Sequence, residues 1–133
     1  VTGAAGFIGS NFVKYLLKKY GKDIQIIIVD ALTYAGNLAS IKDEIELDNV
    51  SFVKSDIADY ETIKSVFTNN DIDYVVNFAA ESHVDRSIEN PQLFLITNIL
   101  GTQNQPKAFP RNQHYRHSKH ASMRKRGLVC WKR

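Results

Sequence analysis

Three glycines spaced three apart, Gly3, Gly6 and Gly9, and an acid 21 positions beyond the last of them, Asp30, are the residues whose types and spacing could do chemistry. That chemistry is the holding of a diphosphate and a sugar diol. Gly3 would let the chain leave a strand in a tight turn, Gly6 would let backbone amides come close to a diphosphate, and Gly9 would let a helix pack against a sheet. The free N–H groups and positive dipole end of that helix stabilise an anion. A carboxylate at Asp30 can accept hydrogen bonds from both hydroxyls of an adenosine ribose and would repel a 2′-phosphate, so the choice falls on NAD over NADP. Glycines are common in any loop before a helix, and an acid ending a strand is ordinarily just solvated. Context separates the two cases: a strand before the loop, an amphipathic helix after it and the acid at the right distance.

The elements that must position these residues can be read in order. Phe7, Ile8, Phe12, Val13, Leu16, Leu17 and Tyr20 recur at helical spacing, with Lys14, Lys18 and Lys19 largely opposite. Gly21 stops this helix. Ile24 to Val29 is a β-branched run ending in Asp30, a strand buried on both faces as a parallel sheet requires. A short helix is expected within Asn37 to Ile45 and a third strand over Val50 to Val53, with Asp56 and Ile57 at its carboxyl end. Asp59 can cap a helix carrying Ile63, Val66 and Phe67. Tyr74 to Phe78 is a fourth strand running into Ala79-Ala80, where small residues leave room for a flat ring. Asn90-Pro91 is a cap and first-turn pair for a helix with Leu93, Phe94, Ile96, Ile99 and Leu100. Strands alternating with helices give an α/β fold. Its form is a Rossmann-like, doubly wound parallel sheet of order 3-2-1-4 in a three-layer α/β/α sandwich. Only Val1 and Thr2 precede Gly3, so the first strand is truncated and the sequence reads as a fragment at this end.

Charge divides the chain. All 14 Asp and Glu lie in residues 1–104, which carry a net −6, whereas residues 105–133 hold nine Lys/Arg and no acid, a net +9. The single cysteine, Cys130, cannot form an internal disulfide and fits a reducing compartment. No apolar run approaches the roughly 20 residues that span a bilayer, so a cytoplasmic protein without membrane partners is expected. No metal-ligand set is read in the sequence.

Four segments together resemble a known family. These are Thr2-Gly-x-x-Gly-Phe-Ile-Gly-Ser10, Asp30-Ala-Leu-Thr-Tyr-Ala-Gly-Asn37, Phe78-Ala-Ala-Glu-Ser-His-Val-Asp-Arg-Ser-Ile88 and Thr97-Asn-Ile-Leu-Gly-Thr102. They are similar to the amino-terminal part of the dTDP-glucose 4,6-dehydratases, extended short-chain dehydrogenases/reductases. The first and last are shared with nucleotide-sugar epimerases, while the middle two are more specific. The resemblance implies a hydro-lyase in deoxysugar nucleotide biosynthesis. Its tightly held NAD oxidises the sugar of dTDP-glucose at C4, water is lost across C5 and C6, and the hydride returns to C6. Matching positions imply cofactor contacts from Gly3, Gly6, Phe7, Ile8 and Gly9 at the diphosphate. They further imply Asp30, Leu32, Thr33 and Gly36 around the adenosine ribose, Asp56 and Ile57 at adenine, and Ala79, Ala80, Ser82 and Thr97 on the nicotinamide side. Ser82, His83 and Arg86 would face the sugar nucleotide, although His83 reads equally as a loop histidine fixing backbone. The family's homodimer uses two helices per subunit, of which the Pro91 helix is one and the other is absent, so dimerisation is not expected of this segment alone.

The family's chemistry rests on a Tyr-x-x-x-Lys pair and a Thr-Asp-Glu on a later strand and helix. Tyr115-Arg-His-Ser-Lys119 has the spacing but follows Gly101 too closely for the intervening helix, strand and loop, and no Thr-Asp-Glu occurs. No catalytic residue is therefore assigned, and the chain alone is expected to be inactive. The likeness ends at about Asn104. Residues 1–104 are read as an NAD-binding half-domain, and 105–133 as a basic tail, disordered or mistranslated through a frameshift after Asn104, with Gln105-Pro106 interrupting the last helix. Two other classes stay open: a catalytically silent dinucleotide-binding module, and a nucleic-acid arm in the tail, which is not the expected partner.

Overall fold

The computed structural model describes residues 1–108 and, as backbone, 127–130. Its sheet grows outward from Ile26–Asp30 (β1), which pairs in parallel with Val50–Lys54 (β2) in the register Ile26 to Val50 through Asp30 to Lys54. On the other side of β1 lies what there is of the first strand. Thr2 makes parallel bridges to Val29 and to Asn77, the last residue of Tyr74–Asn77 (β3). Four backbone hydrogen bonds stitch it there: Thr2 N–H to Val76 O at 3.0 Å, Phe78 N–H to Thr2 O at 3.0 Å, Gly3 N–H to Val29 O at 2.9 Å and Val29 N–H to Val1 O at 2.9 Å. Counting this stub as the first strand, the order is 3-2-1-4, as the alternation of elements predicts.

Helices cover both faces, which β1 shows by itself. Its Ile26 and Ile28 join one core with Ala4, Ala5, Val13, Ile41 and Val50, while Val29 joins a second with Ile57, Ile63, Phe67 and Val75. Alternate side chains leave a strand on opposite sides, so a run buried throughout needs a helix layer on each. Phe7–Tyr20 (α1), with the short turns Leu38–Ile41 and Lys42–Ile45 (α2), supplies the first layer; Tyr60–Asn69 (α3) belongs to the second. The caps predicted at Asp59 and Asn90 form, and Asn37 adds a third. Asp59 accepts from Thr62 N–H at 3.2 Å, Asn37 from Ala39 N–H at 3.0 Å, and Asn90 from Leu93 N–H at 3.2 Å with Pro91 in the first turn. Gly21 closes α1 at φ 56°, where a side chain would be strained.

Several expectations need correction. Phe7 and Ile8 do not join the apolar face of α1: they are 85% and 55% exposed, because the glycine loop delivers them at the open end of the sheet. Val84–Glu89 (α4) is an additional helix. The helix opened by Pro91 runs as Pro91–Leu95 (α5), widens to a π-helical turn over Ile96–Gly101 and continues as Thr102–Ala108 (α6). Gln105-Pro106 therefore does not interrupt it. Burial of Gln105, and of Ala108 against the second core, holds the backbone helical through the position where proline removes a hydrogen bond. Within the basic tail, Gly127–Cys130 (β4) pairs in parallel with β3, Tyr74 opposite Gly127. An open sheet edge carries unpaired donors and acceptors that an extended segment can satisfy. Residues 109–126 and 131–133, Tyr115 to Lys119 among them, lie outside the described residues.

Candidate functional site

The carboxyl ends of the first strand, β1, β2 and β3 surround a cleft of about 210 Å³. In open α/β sheets this is where ligands bind, since the connecting loops diverge there and leave a crevice. Gly3 and Gly6 line it from the first strand, Val29 to Ala31, Thr33, Ala35 and Gly36 from β1, Ser55 to Ile57 from β2, and Phe78 to Glu81 with Arg86 from β3. Leu93 and Thr97 close it from the last helix.

The three glycines have separable physical reasons. A Cβ on Gly3 would collide with the backbone of Phe78 and Ala79, and its φ of 65° excludes most side chains. A Cβ on Gly9 would run into the Gly3 carbonyl and Ala4 Cα, so α1 lies against its own loop only without one. Gly6 is different. It is extended at φ −77°, and a Cβ there would meet nothing closer than the Gly3 carbonyl at 3.4 Å, an ordinary contact. Among the described residues neither backbone nor packing requires glycine at 6, so its small size leaves room for a body from outside the chain. No side chain caps α1 at Gly6, leaving the first turn's N–H groups for that body.

Asp30 is placed opposite this loop and tied to it. Its Oδ2 accepts from Ala5 N–H at 2.8 Å and its Oδ1 from Leu32 N–H at 2.8 Å, with the residue only 8% exposed. Each carboxylate oxygen has a second lone-pair direction, so a diol can still be received. The acid thus braces the glycine loop as well as facing the cleft. Leu32 pays in conformation, at φ 53°. Gly36 must be small for the same group, because a Cβ there would stand 2.9 Å from Asp30 Oδ1.

Side chains of the last helix fix the other walls. Asn98 clamps Glu81 on both sides, accepting its N–H at 2.9 Å and donating to its carbonyl at 2.8 Å. Asn104 Nδ2 donates to Ile57 O at 3.1 Å and Ala58 O at 3.0 Å. Asp56 Oδ1 accepts from Ala58 N–H at 2.8 Å. Of the residues expected to touch a ligand, the cleft collects Gly3, Gly6, Asp30, Thr33, Gly36, Asp56, Ile57, Ala79, Ala80, Arg86 and Thr97. Gly9, Leu32, Phe7 and Ile8 stand behind or beside it, and Ser82 and His83 are exposed outside it. Sequence reasoning passes over Glu81, buried at 7% exposure in the cleft wall; a carboxylate between Ala80 and Ser82 carries no periodic signal of burial.

A family model described as GDP-mannose 4,6 dehydratase matches residues 1–121. The chain belongs to the GDP-mannose 4,6 dehydratase family. The match extends past Asn104 into the basic tail. Among curated relatives, the dTDP-glucose 4,6-dehydratase of Xanthomonas campestris pv. campestris is 50% identical over 103 residues, 77% of this chain and 28% of that protein. The low-salt glycan biosynthesis protein Agl12 of Haloferax volcanii is also 50% identical over 103 residues, 32% of its length. The crystal structure of DesIV, a dTDP-glucose 4,6-dehydratase from Streptomyces venezuelae with NAD bound, superposes with a TM-score of 0.73 at 42% identity, over 80% of this chain and 34% of that one. A UDP-glucose 4-epimerase from Thermus thermophilus in complex with NAD gives 0.68 at 31% identity, over 80% and 32%. The chain therefore spans about a third of the length of these relatives, and the Rossmann-like fold of the family is the one observed.

Proposed function

We propose that this chain is the cofactor-holding part of an NAD-dependent nucleotide-sugar dehydratase acting on dTDP-glucose to give the 4-keto-6-deoxy sugar nucleotide. The observation that carries this is Gly6, a glycine that no contact among the described residues requires to be small, set across a cleft from a buried carboxylate at the end of β1. The residues present fit the cofactor. Amides of Gly6 to Gly9 would take its diphosphate, Asp30 its adenosine ribose, Asp56 and Ile57 the adenine, and Ala79, Ala80 and Thr97 the flat nicotinamide. Ser82, His83 and Arg86 would face the sugar nucleotide. NAD held there supplies the hydride acceptor for oxidation of the sugar at C4 and the donor for its return at C6. The chain's own share is to bind and orient: the amide nest neutralises the diphosphate, and Asp30 rejects a phosphorylated ribose by charge. Residues 1–104 form this cofactor-binding unit.

The similarity to dTDP-glucose dehydratases through the Asp30 to Asn37 and Phe78 to Ile88 segments supports the substrate class. Titration calorimetry with NAD and NADP tests the cofactor. NAD is expected to bind at least about tenfold more tightly than NADP, one unfavourable charge contact near a partly buried carboxylate being worth a unit or more of log affinity. Equal affinities would overturn the choice. Supplied with NAD and dTDP-glucose, this chain alone is expected to yield no 4-keto product. The NAD complex of the epimerase matched at 31% identity keeps a second reading alive, in which the same half-site serves C4 epimerisation.

A further inference from the structure

The two walls of the cleft meet again at its outer rim. Tyr34 lies between Thr33 and Ala35, which line the wall that follows β1, and Arg86 belongs to α4 on the wall that follows β3. The Arg86 guanidinium carbon stands 4.3 Å above the centre of the Tyr34 ring, a stacked cation–π contact. Behind it, Arg86 Nη1 is 3.5 Å from Glu81 Oε2, with the acid's side chain 6% and the arginine's 39% exposed. The His83 ring meets Tyr34 edge-on at 6.0 Å. Glu81 is itself immobilised through its backbone by Asn98. The chain of contacts thus runs from the last helix through Glu81 and Arg86 to Tyr34, from one wall of the cleft to the other.

Tyr34 does not line the cleft, and the Arg86–Glu81 contact is loose: at 3.5 Å neither Nη1 nor Oε2 makes a hydrogen bond among the described residues, although both atoms are buried. A strap anchored in a well-formed ion pair would be rigid. One built from a stacked ring and a long, unsaturated ion pair can open at modest cost. Resting on the NAD reading above, we propose that Tyr34 and Glu81 hold Arg86 as a strap over the bound dinucleotide, and that opening of the Tyr34–Arg86 contact gates both entry and escape of the cofactor. Because Tyr34 is not part of the ligand's wall, its loss should change the height of the barrier and leave the depth of the well nearly alone.

The test is a stopped-flow measurement on the full chain. Association of NADH is followed by its fluorescence, and dissociation by chasing bound NADH with excess NAD. In Tyr34→Ala both rate constants are expected to rise together, by roughly threefold to thirtyfold given the usual strength of an exposed to part-desolvated cation–π contact, with the Kd within about twofold of the wild type. Tyr34→Phe keeps the ring and should retain wild-type rates. Glu81→Gln, which keeps the shape but frees Arg86, should speed both steps as well. Tyr34 is 54% exposed, so its replacement leaves the cores intact. Unchanged rates in Tyr34→Ala would overturn the strap, as would a rise in dissociation alone with a matching loss of affinity, which marks a ligand contact rather than a gate. If the wild-type chain itself fails to bind NADH, the cofactor reading falls and the strap with it; wild-type binding with indifferent variants removes the strap alone.

Discussion

Gly6 and Gly9 look alike in the sequence and are opposites in the structure. A methyl group at Gly9 would be driven into the Gly3 carbonyl, whereas one at Gly6 would meet that carbonyl only at an ordinary 3.4 Å. Gly9→Ala should therefore cost about 1–3 kcal/mol, the usual penalty for an overpacked contact. Gly6→Ala should stay within about 0.5 kcal/mol of the wild type, as at an unconstrained surface site, yet bind NAD at least about tenfold more weakly. Urea denaturation and an NAD titration on the same pair of variants would check both halves. Asp30→Ala has a double effect, since it removes a ribose acceptor and leaves the amides of Ala5 and Leu32 without partners. A stability loss of about 1–3 kcal/mol accompanies the loss of binding. Gln105 offers the reverse case. It is 2% exposed and neither amide atom finds a hydrogen-bond partner among the described residues, so Gln105→Leu should stabilise the chain by about 1–2 kcal/mol, seen as a higher urea midpoint.

At the scale of elements, the parallel sheet and its helices are legible because burial writes itself into the sequence. Ile24 to Val29 reads as a strand covered on both faces, and it feeds two separate cores. Caps are legible too: Asp59 and Asn90 need only a side-chain oxygen at the right place. Three features leave no such mark. The π-helical turn at Ile96–Gly101 is a local change in hydrogen-bond spacing, set where Gly101 lets the helix close on Ile57; a Cβ there would stand 2.6 Å from the isoleucine. Phe7 and Ile8 obey helical spacing but emerge at an open end, where periodicity says nothing about depth. The Tyr34–Arg86 contact joins residues 52 positions apart through the geometry of a loop and a short helix. The first strand carries its own prediction. In a polypeptide that starts at Val1, burial pushes the terminal ammonium down to about 6 from its usual 8, while it donates to Ile27 O at 2.7 Å. The unfolded chain then binds that proton more tightly than the folded one, so stability is full above pH 8 and falls as pH drops through 6, by about 2–3 kcal/mol. Denaturation midpoints across that window would show the slope. An amino-terminal extension, replacing the ammonium with an amide that donates the same bond, should flatten it.

Taken whole, the described residues form a parallel sheet whose carboxyl ends are tied into one cleft. Asn98 and Asn104 on one long helix fix two of the cleft's walls, and Asp30 ties the glycine loop to a third. Among the described residues no helix is long and apolar enough to cross a membrane. Two solved relatives, DesIV and the Thermus thermophilus epimerase, carry NAD, in agreement with the dinucleotide proposed for the cleft. The claim that most depends on this arrangement is that the diphosphate rests at the start of α1 while the acid ending β1 takes the adenosine ribose. Amide chemical shifts recorded while NAD is titrated into the isotopically labelled chain address it residue by residue. The largest changes should fall on Gly6, Phe7, Ile8, Gly9 and Leu32, with Asp56 and Ile57 next. Saturable shifts confined elsewhere, with the glycine loop and Leu32 unmoved, would contradict the assignment.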